Sequence, residues 1–141
     1  MEYSIVKLME EFETSTNVEL LDYLSRTSSD CIIVRTISKN INTSKETLDI
    51  LSKAKDFLIR YHVAENQNTS LETLDFLSRD KEHNVREAVA SNKNTSEKIL
   101  DRLSRDKNKE VRRAVRNNKN SSEEIIFKLS KENFIISEPS F

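Results

Sequence analysis

Few side chains in this sequence could act as acids, bases, nucleophiles or metal ligands, and they are scattered. The only histidines, His62 and His83, do not have the spacing of zinc-binding pairs such as HExxH. The only cysteine, Cys31, precedes the apolar residues 32–34, a setting in which a free cysteine usually packs as a small apolar residue. Without any glycine, the chain has no glycine-rich phosphate loop. We therefore expect no catalytic residue, no metal site and no cofactor.

A second group of side chains is basic and aromatic, and it suits binding. Lysine and arginine neutralise phosphate groups, and aromatic rings stack on nucleobases. Tyrosine and arginine are also enriched at protein–protein hot spots. The partner-binding candidates are Phe57, Arg60, Tyr61, Arg86, Lys109, Arg112, Arg113 and Arg116. Whether they form one surface depends on the elements that position them.

Those elements belong to a repeat with a period of about 26 residues. The segments NTSLETLDFLSRDKEHNVREAVASN and NTSEKILDRLSRDKNKEVRRAVRNN begin at Asn68 and Asn94. Equivalent serines follow one another at separations of 27, 26, 26 and 26 residues, and they are Ser25, Ser52, Ser78, Ser104 and Ser130. A fixed period of this size indicates stacked helical units that bury their apolar faces against one another.

The first helix of each unit has an apolar stripe and a predicted N-cap. The stripe consists of apolar pairs at i, i+3 spacing, namely Leu21 and Leu24, Leu48 and Leu51, Leu74 and Leu77, Leu100 and Leu103, and Ile126 and Leu129. The hydroxyl residues that we predict as N-caps are Thr16, Thr43, Thr69, Thr95 and Ser121. Glutamates three positions later predict four capping boxes, with Glu19, Glu46, Glu72 and Glu124.

The second helix of each unit has apolar positions at i, i+3 and i+4. These are Val85, Ala88 and Val89, then Val111, Ala114 and Val115, with equivalents Ile59, His62 and Val63, and Ile33, Thr36 and Ile37 after one extra residue in the turn. Each pair is predicted to end at an asparagine in the left-handed conformation, at Asn40, Asn66, Asn92 or Asn118. A second column is Asn42, Asn68, Asn94 and Asn120. We predict that both columns bond to backbone groups and not to a ligand.

The whole chain is predicted to be one helical-repeat domain, residues 1–141. An N-terminal capping helix covers residues 1–14, four repeats plus a half-repeat cover residues 15–130, and a C-terminal tail covers residues 131–141. Such caps are needed because a terminal unit exposes an apolar flank. The tail, NFIISEPSF, either folds back over the last helix or docks on another chain.

The unit T/S-S-x-E-x-L-D-x-L-S-R-D-x(4)-V-R-x-A-V-x-x-N resembles the variant leucine-rich repeat (LRV) family and, more distantly, the HEAT repeats, across roughly residues 15–130. The resemblance implies an all-α fold, a right-handed α-solenoid without a catalytic apparatus. The chain departs from the LRV pattern in its slightly longer period and in having asparagine and serine where proline often precedes the first helix. It also lacks the cysteine cluster of some members, so no iron–sulfur cluster is implied.

HEAT-like arrays also place an aspartate in the intra-unit turn and an arginine on the second helix, and these two residues pair between units. The matching residues are Asp80, Arg86, Asp106 and Arg112. By this resemblance the two arginines are structural, whereas Arg60 has Ala54 in place of the aspartate, so we expect its guanidinium to be free. HEAT-like DNA glycosylases use an acidic catalytic residue beside basic and aromatic ones, as Asp56 and Glu87 flank Arg60 and Tyr61 here. Because the sequence shows no pocket, we predict that the protein is not an enzyme.

The exposed face of the second helices is the predicted binding surface. It comprises four rows, which are Cys31, Val34, Arg35 and Ser38, then Phe57, Arg60, Tyr61 and Ala64, then His83, Arg86, Glu87 and Ala90, and finally Lys109, Arg112, Arg113 and Arg116. Residues 98–119 contain nine basic and three acidic residues, and residues 1–30 contain two basic and seven acidic ones. The first hypothesis is a protein–protein interaction scaffold, and the alternative is a nucleic-acid-binding module that uses the basic last row. Self-association of the acidic end with the basic end is a third.

Composition limits the class of protein further. The net charge is −1 although 33% of residues are charged, so bulk electrostatics selects no partner. No apolar run is long enough to span a membrane, and the acidic N-terminus does not resemble a signal peptide, so we expect no membrane partner. The single cysteine excludes an intrachain disulfide and fits a reducing compartment. We expect a cytoplasmic protein.

Overall fold

The computed structural model describes residues 14–135, apart from the side chains of Thr27 and residues 132–135. Within this range the chain forms nine α-helices and no strand, which confirms the all-α prediction. They are α1 (Val18–Thr27), α2 (Cys31–Lys39), α3 (Lys45–Leu51), α4 (Phe57–Glu65), α5 (Leu71–Leu77), α6 (His83–Ser91), α7 (Glu97–Leu103), α8 (Lys109–Asn117) and α9 (Glu123–Ile135). Residues 1–13 of the predicted capping helix and 136–141 of the predicted tail lie outside the described residues. Residues 131–135 continue α9 and do not form a separate tail.

The second helices of the pairs, α2, α4, α6 and α8, each run for nine residues. Consecutive second helices pack against each other, and these are the most extensive contacts between helices in the described range. Small side chains permit the close approach, because Ser38, Ala64 and Ala90 stand at the contact and are fully buried. The second helices therefore form a continuous layer across the pairs.

The predicted apolar positions of both helices form one core. The leucines at 21, 48, 74, 77, 100 and 103 and the valines at 63, 85, 89, 111 and 115 are at most 2% exposed. The last pair departs from the prediction, because α9 buries Ile125 and leaves Ile126 37% exposed. Ile125 is equivalent to the buried Ile99, so α9 buries the residue one position before the predicted one.

The predicted N-caps of the first helices are wrong by one residue. Ser44 caps α3 and Ser70 caps α5, because their Oγ atoms accept hydrogen bonds from the backbone N–H groups of Thr47 (3.1 Å) and Thr73 (3.2 Å). The hydroxyls predicted as caps are buried and donate, over 2.6 Å, to the carbonyl six residues earlier, and they belong to Thr43, Thr69, Thr95 and Ser121. The predicted capping boxes do not form, because the glutamates stand at the second helical position instead of the third.

Both asparagine columns bond to backbone, as predicted, but the predicted left-handed conformation is wrong. Asn66 and its equivalents are extended, with φ near −65° and ψ near 127°, and no described residue has positive φ. The Nδ2 group of Asn66 donates to the carbonyls of Ser38 (2.9 Å) and Asn40 (2.8 Å), at the end of the preceding second helix. Its Oδ1 accepts from the N–H group of Asn68 (2.8 Å). The extended backbone thus lets the amide pair with carbonyls that the preceding helix leaves without intrahelical partners.

Candidate binding face of the second helices

Two of the predicted binding residues, Arg60 and Arg86, are buried between helical pairs and only 7% exposed. Arg60 forms a bidentate pair with Asp80, with Nε 2.6 Å from Oδ2 and Nη2 3.0 Å from Oδ1. Its Nη1 donates to the carbonyls of Ala54 and Lys55. The expectation of a free guanidinium at Arg60 is therefore wrong, because its aspartate comes from the following unit.

Arg86 repeats this arrangement one unit later. It pairs with Asp106 over 2.6 and 3.0 Å, and its Nη1 donates to the carbonyls of Asp80 and Lys81. Arg112 makes the same backbone contacts, to the carbonyls of Asp106 (2.7 Å) and Lys107 (3.2 Å). Arg60 and Arg86 connect consecutive units through their aspartates, so both are removed from the binding surface.

The electrostatics of these pairs make the aspartates more acidic than usual. Burial alone would raise the pKa of Asp80, but hydrogen bonds from Arg60 and the backbone N–H of Glu82, together with the arginine charge, hold that pKa below its usual value. The pKa of Asp106 is likewise lowered, because Arg86 and the N–H of Asn108 outweigh the effect of burial. Both carboxylates are therefore ionised in the folded protein at neutral pH.

The lowered pKa values of Asp80 and Asp106 predict that the fold is less stable in acid. A carboxyl group with a lowered pKa in the folded state stabilises the fold above its unfolded pKa of about 3.9, and this contribution is lost as pH falls through the folded pKa. We expect the free energy of unfolding to decrease below about pH 4, with a slope of about 1.4 kcal/mol per pH unit for each proton taken up. Urea denaturation between pH 2.5 and 7 measures this slope. The variant Asp106→Asn should show a shallower slope, and an unchanged slope would contradict the assignment.

The equivalent residues Arg60, Arg86 and Arg112 form a column along the second helices. The position of this column explains why the last row is basic. Residues 60 and 64 of α4, and 86 and 90 of α6, face the next second helix and are buried. No second helix follows α8 within residues 14–135, and there the equivalent residues are Arg112, half-buried, and Arg116, exposed. A polar flank at the last repeat keeps such an array soluble. Arg112 and Arg116 thus lie on the flank of α8 that corresponds to the contact between second helices in the earlier units, and not on the same face as Tyr61.

The remaining candidates are Phe57, Tyr61, Lys109 and Arg113, which lie on the outward face of the second helices. Phe57 and Tyr61 line a groove of about 360 Å³ between α4 and α6, opposite Asn84 and Glu87. Arg113 lines a second groove of about 330 Å³ between α6 and α8. Lys109 is exposed at the start of α8. The structure therefore brings Phe57 and Tyr61 together on α4 and places Arg113 on α8, two second helices away.

Tyr61 is held in one orientation. Its hydroxyl donates to Glu65 Oε1 over 2.8 Å, and its ring contacts the edge of His62 with centroids 5.2 Å apart. Burial, with the hydrogen bond to Glu65, raises the pKa of Tyr61 to about 12, so the hydroxyl stays protonated. Burial lowers the pKa of His62, although Glu65 opposes the shift. A fixed aromatic ring loses little entropy when a partner covers it.

Asp56 and Glu87, the acidic residues that flank Arg60 and Tyr61 in the sequence, belong to different helical pairs. Asp56 caps α4 and pairs with Arg35, with Arg35 Nε 2.7 Å from Asp56 Oδ2, whereas Glu87 lines both grooves. Within residues 14–135, no cluster of three or more His, Cys, Asp or Glu side chains could hold a metal ion. The arrangement provides grooves with charged and aromatic walls, which can bind a partner by contact alone.

The partner-binding candidates did not include the groove residues Leu58, Asn84 and Asn117, nor Glu87, although Glu87 belongs to the third row of the predicted binding surface. The repeat contained a sequence signal for this part of the grooves, because positions 58, 84 and 110 are equivalent and stand directly after the first residue of each second helix.

No protein-family model, curated protein or solved structure matches the chain. In the described part of the chain, no helix has the length and hydrophobicity needed to cross a membrane.

Proposed function

We propose that the protein is a non-catalytic, cytoplasmic scaffold that binds another protein through the outward face of its second helices. Its fold would be a right-handed α-solenoid of LRV-like repeats with a cap at each end. The repeated Arg–Asp pairs and asparagine contacts between units support this fold, because each unit depends on its neighbours. The lone cysteine supports a reducing compartment.

The observation that carries the proposal is the pair of grooves along the second helices. One contains an oriented tyrosine and a phenylalanine that is 39% exposed, and the next contains an exposed arginine. Aromatic and arginine side chains in concave sites contribute most of the binding energy at protein interfaces. The grooves are open to solvent along a layer that repeats from unit to unit, which suits a macromolecular partner.

Burial of two arginines weighs against the nucleic-acid hypothesis. Arg60 and Arg86 are neutralised by buried aspartates, so the basic surface is reduced to α8 and its surroundings. Arg113 itself lies 3.6 Å from Glu110. A phosphate backbone requires several uncompensated cations in a row. Self-association remains an alternative that light scattering at increasing concentration would detect.

The test compares the replacement of two tyrosines, one on a second helix and one on a first helix. We expect Tyr61→Ala to weaken binding of the partner at least about thirtyfold, the loss of a hot spot worth about 2 kcal/mol. Affinity purification followed by titration calorimetry with the recovered partner measures this. Tyr23→Ala is the control, because Tyr23 is 64% exposed on the first helix α1. Equal binding by Tyr61→Ala and wild type, with loss in Tyr23→Ala, would move the site to the first helices.

A further inference from the structure

The two grooves form one elongated site that crosses three second helices. Both are lined by Glu87 and Ser91 of α6, the first together with α4 and the second together with α8. Packed helices lie about 8–10 Å apart, so the combined site is roughly 20 Å long. The long axis of the site runs across the helices. A single compact ligand would not fill a site of this length.

The walls of the site have a definite charge pattern. In the first groove, Tyr61 bonds to the carboxylate of Glu65, and Glu87 of α6 lines the same groove. In the second, Arg113 provides a guanidinium with a 70% exposed side chain and one long ion pair, to Glu110 at 3.6 Å. Glu87 has no ion-pair partner among the described residues. The site is thus acidic and aromatic at one end and carries an accessible arginine at the other.

This pattern selects the side chains of the occupant. A cation in the first groove would stack on the Tyr61 ring and pair with Glu87, and its alkyl part would contact Phe57. A carboxylate in the second groove would pair with the guanidinium of Arg113, to which it can bind through two oxygens. The complementary ligand therefore has one basic and one acidic residue separated by one helix spacing.

The spacing selects the backbone conformation of the occupant. A polyproline II segment advances about 9.3 Å in three residues and returns its side chains to the same side. That length matches the helix spacing of about 8–10 Å. Such a segment has no internal hydrogen bonds, so its backbone N–H and C=O groups are free to bond to side chains of the site. The exposed amides of Asn84 and Asn117, which make no hydrogen bond within the described residues, can both donate and accept there.

We propose that the grooves bind an extended peptide segment of the partner in which an arginine or lysine and an aspartate or glutamate are three residues apart. The basic residue occupies the groove at Tyr61 and Glu87, and the acidic residue pairs with Arg113. This inference rests on the proposed function and narrows it to a partner segment that has one basic and one acidic side chain. The order of the two charges along the peptide depends on its direction across the helices.

The test uses synthetic peptides with blocked ends, a proline- and alanine-rich background, and one arginine and one aspartate. Two peptides place the charges three residues apart in the two possible orders, and controls place them one or five residues apart. Fluorescence anisotropy with the full chain should show that one three-residue peptide binds about tenfold or more tighter than the controls. Equal binding of all spacings, or binding of oligonucleotides and no peptide, would overturn the proposal.

Charge reversal makes the test specific for Arg113. Arg113→Glu should lower the affinity for the arginine–aspartate peptide by about tenfold or more. It should raise the affinity for the peptide in which lysine replaces aspartate. Arg105→Glu is the matched control, because Arg105 is 69% exposed and also pairs with a nearby carboxylate, that of Asp101 four residues earlier, but lies outside both grooves. If Arg113→Glu behaves as Arg105→Glu, the assignment is wrong. If no peptide binds while the natural partner still depends on Tyr61, this inference fails and the proposed function stands.

Discussion

Replacement of Arg86 by methionine is expected to lower the free energy of unfolding by about 3–5 kcal/mol, because it leaves a buried charge without its partner. Methionine keeps much of the aliphatic volume but removes four hydrogen bonds. Two of these go to the carboxylate of Asp106, and two go to the carbonyls of Asp80 and Lys81. The Asp106 side chain is 7% exposed, so water cannot replace the guanidinium. Urea denaturation of the wild type and the variant measures the difference.

Two further variants separate the buried charge from the general loss of an arginine. In Arg86→Met with Asp106→Asn, no buried charge remains at this site, while the amide oxygen can still accept from the N–H of Asn108, so we expect recovery of about 1–3 kcal/mol. Arg79→Met removes an ion pair to Asp75 whose side chains are 57% and 40% exposed, and it should cost below about 1 kcal/mol. Equal effects of Arg79→Met and Arg86→Met would mean that the buried pair contributes no more than a surface pair.

The same arginines show where the sequence predicts the structure and where it does not. The period and the i, i+3 spacing predict helical pairs because they reflect the geometry of a single helix. They do not show that Arg60 faces a neighbouring helix, since a charged residue is normally assigned to solvent. The aspartate that neutralises it, Asp80, belongs to the next unit. The recurrence of an aspartate twenty residues after each of Arg60 and Arg86 is the signal that predicts the contact.

The helix caps and asparagine turns illustrate a different limit. Thr43 and Ser44 are adjacent and both have hydroxyls that suit an N-cap, so sequence alone does not choose between them. The choice depends on packing, because Thr43 is fully buried and donates to the carbonyl of Ile37. Asparagine is compatible with both left-handed and extended turns. Contacts with the preceding unit favour the extended form.

Half of the candidate binding residues could be placed from the sequence. Phe57, Tyr61, Lys109 and Arg113 lie on the outward face because they are far in angle from the apolar positions of their helices. The grooves themselves could not be predicted, since they depend on how closely the second helices approach. That approach is set by Ala64 and Ala90, which the sequence pattern alone would place on the surface beside Arg60 and Arg86.

The substitution Asn92→Asp is expected to destabilise the fold by about 3–5 kcal/mol, because it turns a buried donor into an acceptor that faces two other acceptors. Asn92 is 2% exposed, and its Nδ2 group donates to the carbonyls of Ala64 (2.8 Å) and Asn66 (3.1 Å). Its Oδ1 accepts from the N–H of Asn94, a bond that aspartate can keep. The change therefore isolates the two contacts between units at nearly constant volume. Thermal and urea denaturation give the free energy change.

Asn94→Asp is the matched control for this substitution. Asn94 has the same side chain and also donates to a carbonyl of the preceding unit, that of Gln67 over 2.6 Å, but it is exposed. Water can solvate the new carboxylate there, so we expect a loss of about 1 kcal/mol or less. Hydrogen exchange should show, in Asn92→Asp, the largest loss of amide protection in α4 and α6, because this asparagine joins the ends of those helices. A loss spread evenly from α1 to α9, or equal effects of the two substitutions, would mean that buried amides do not couple neighbouring units.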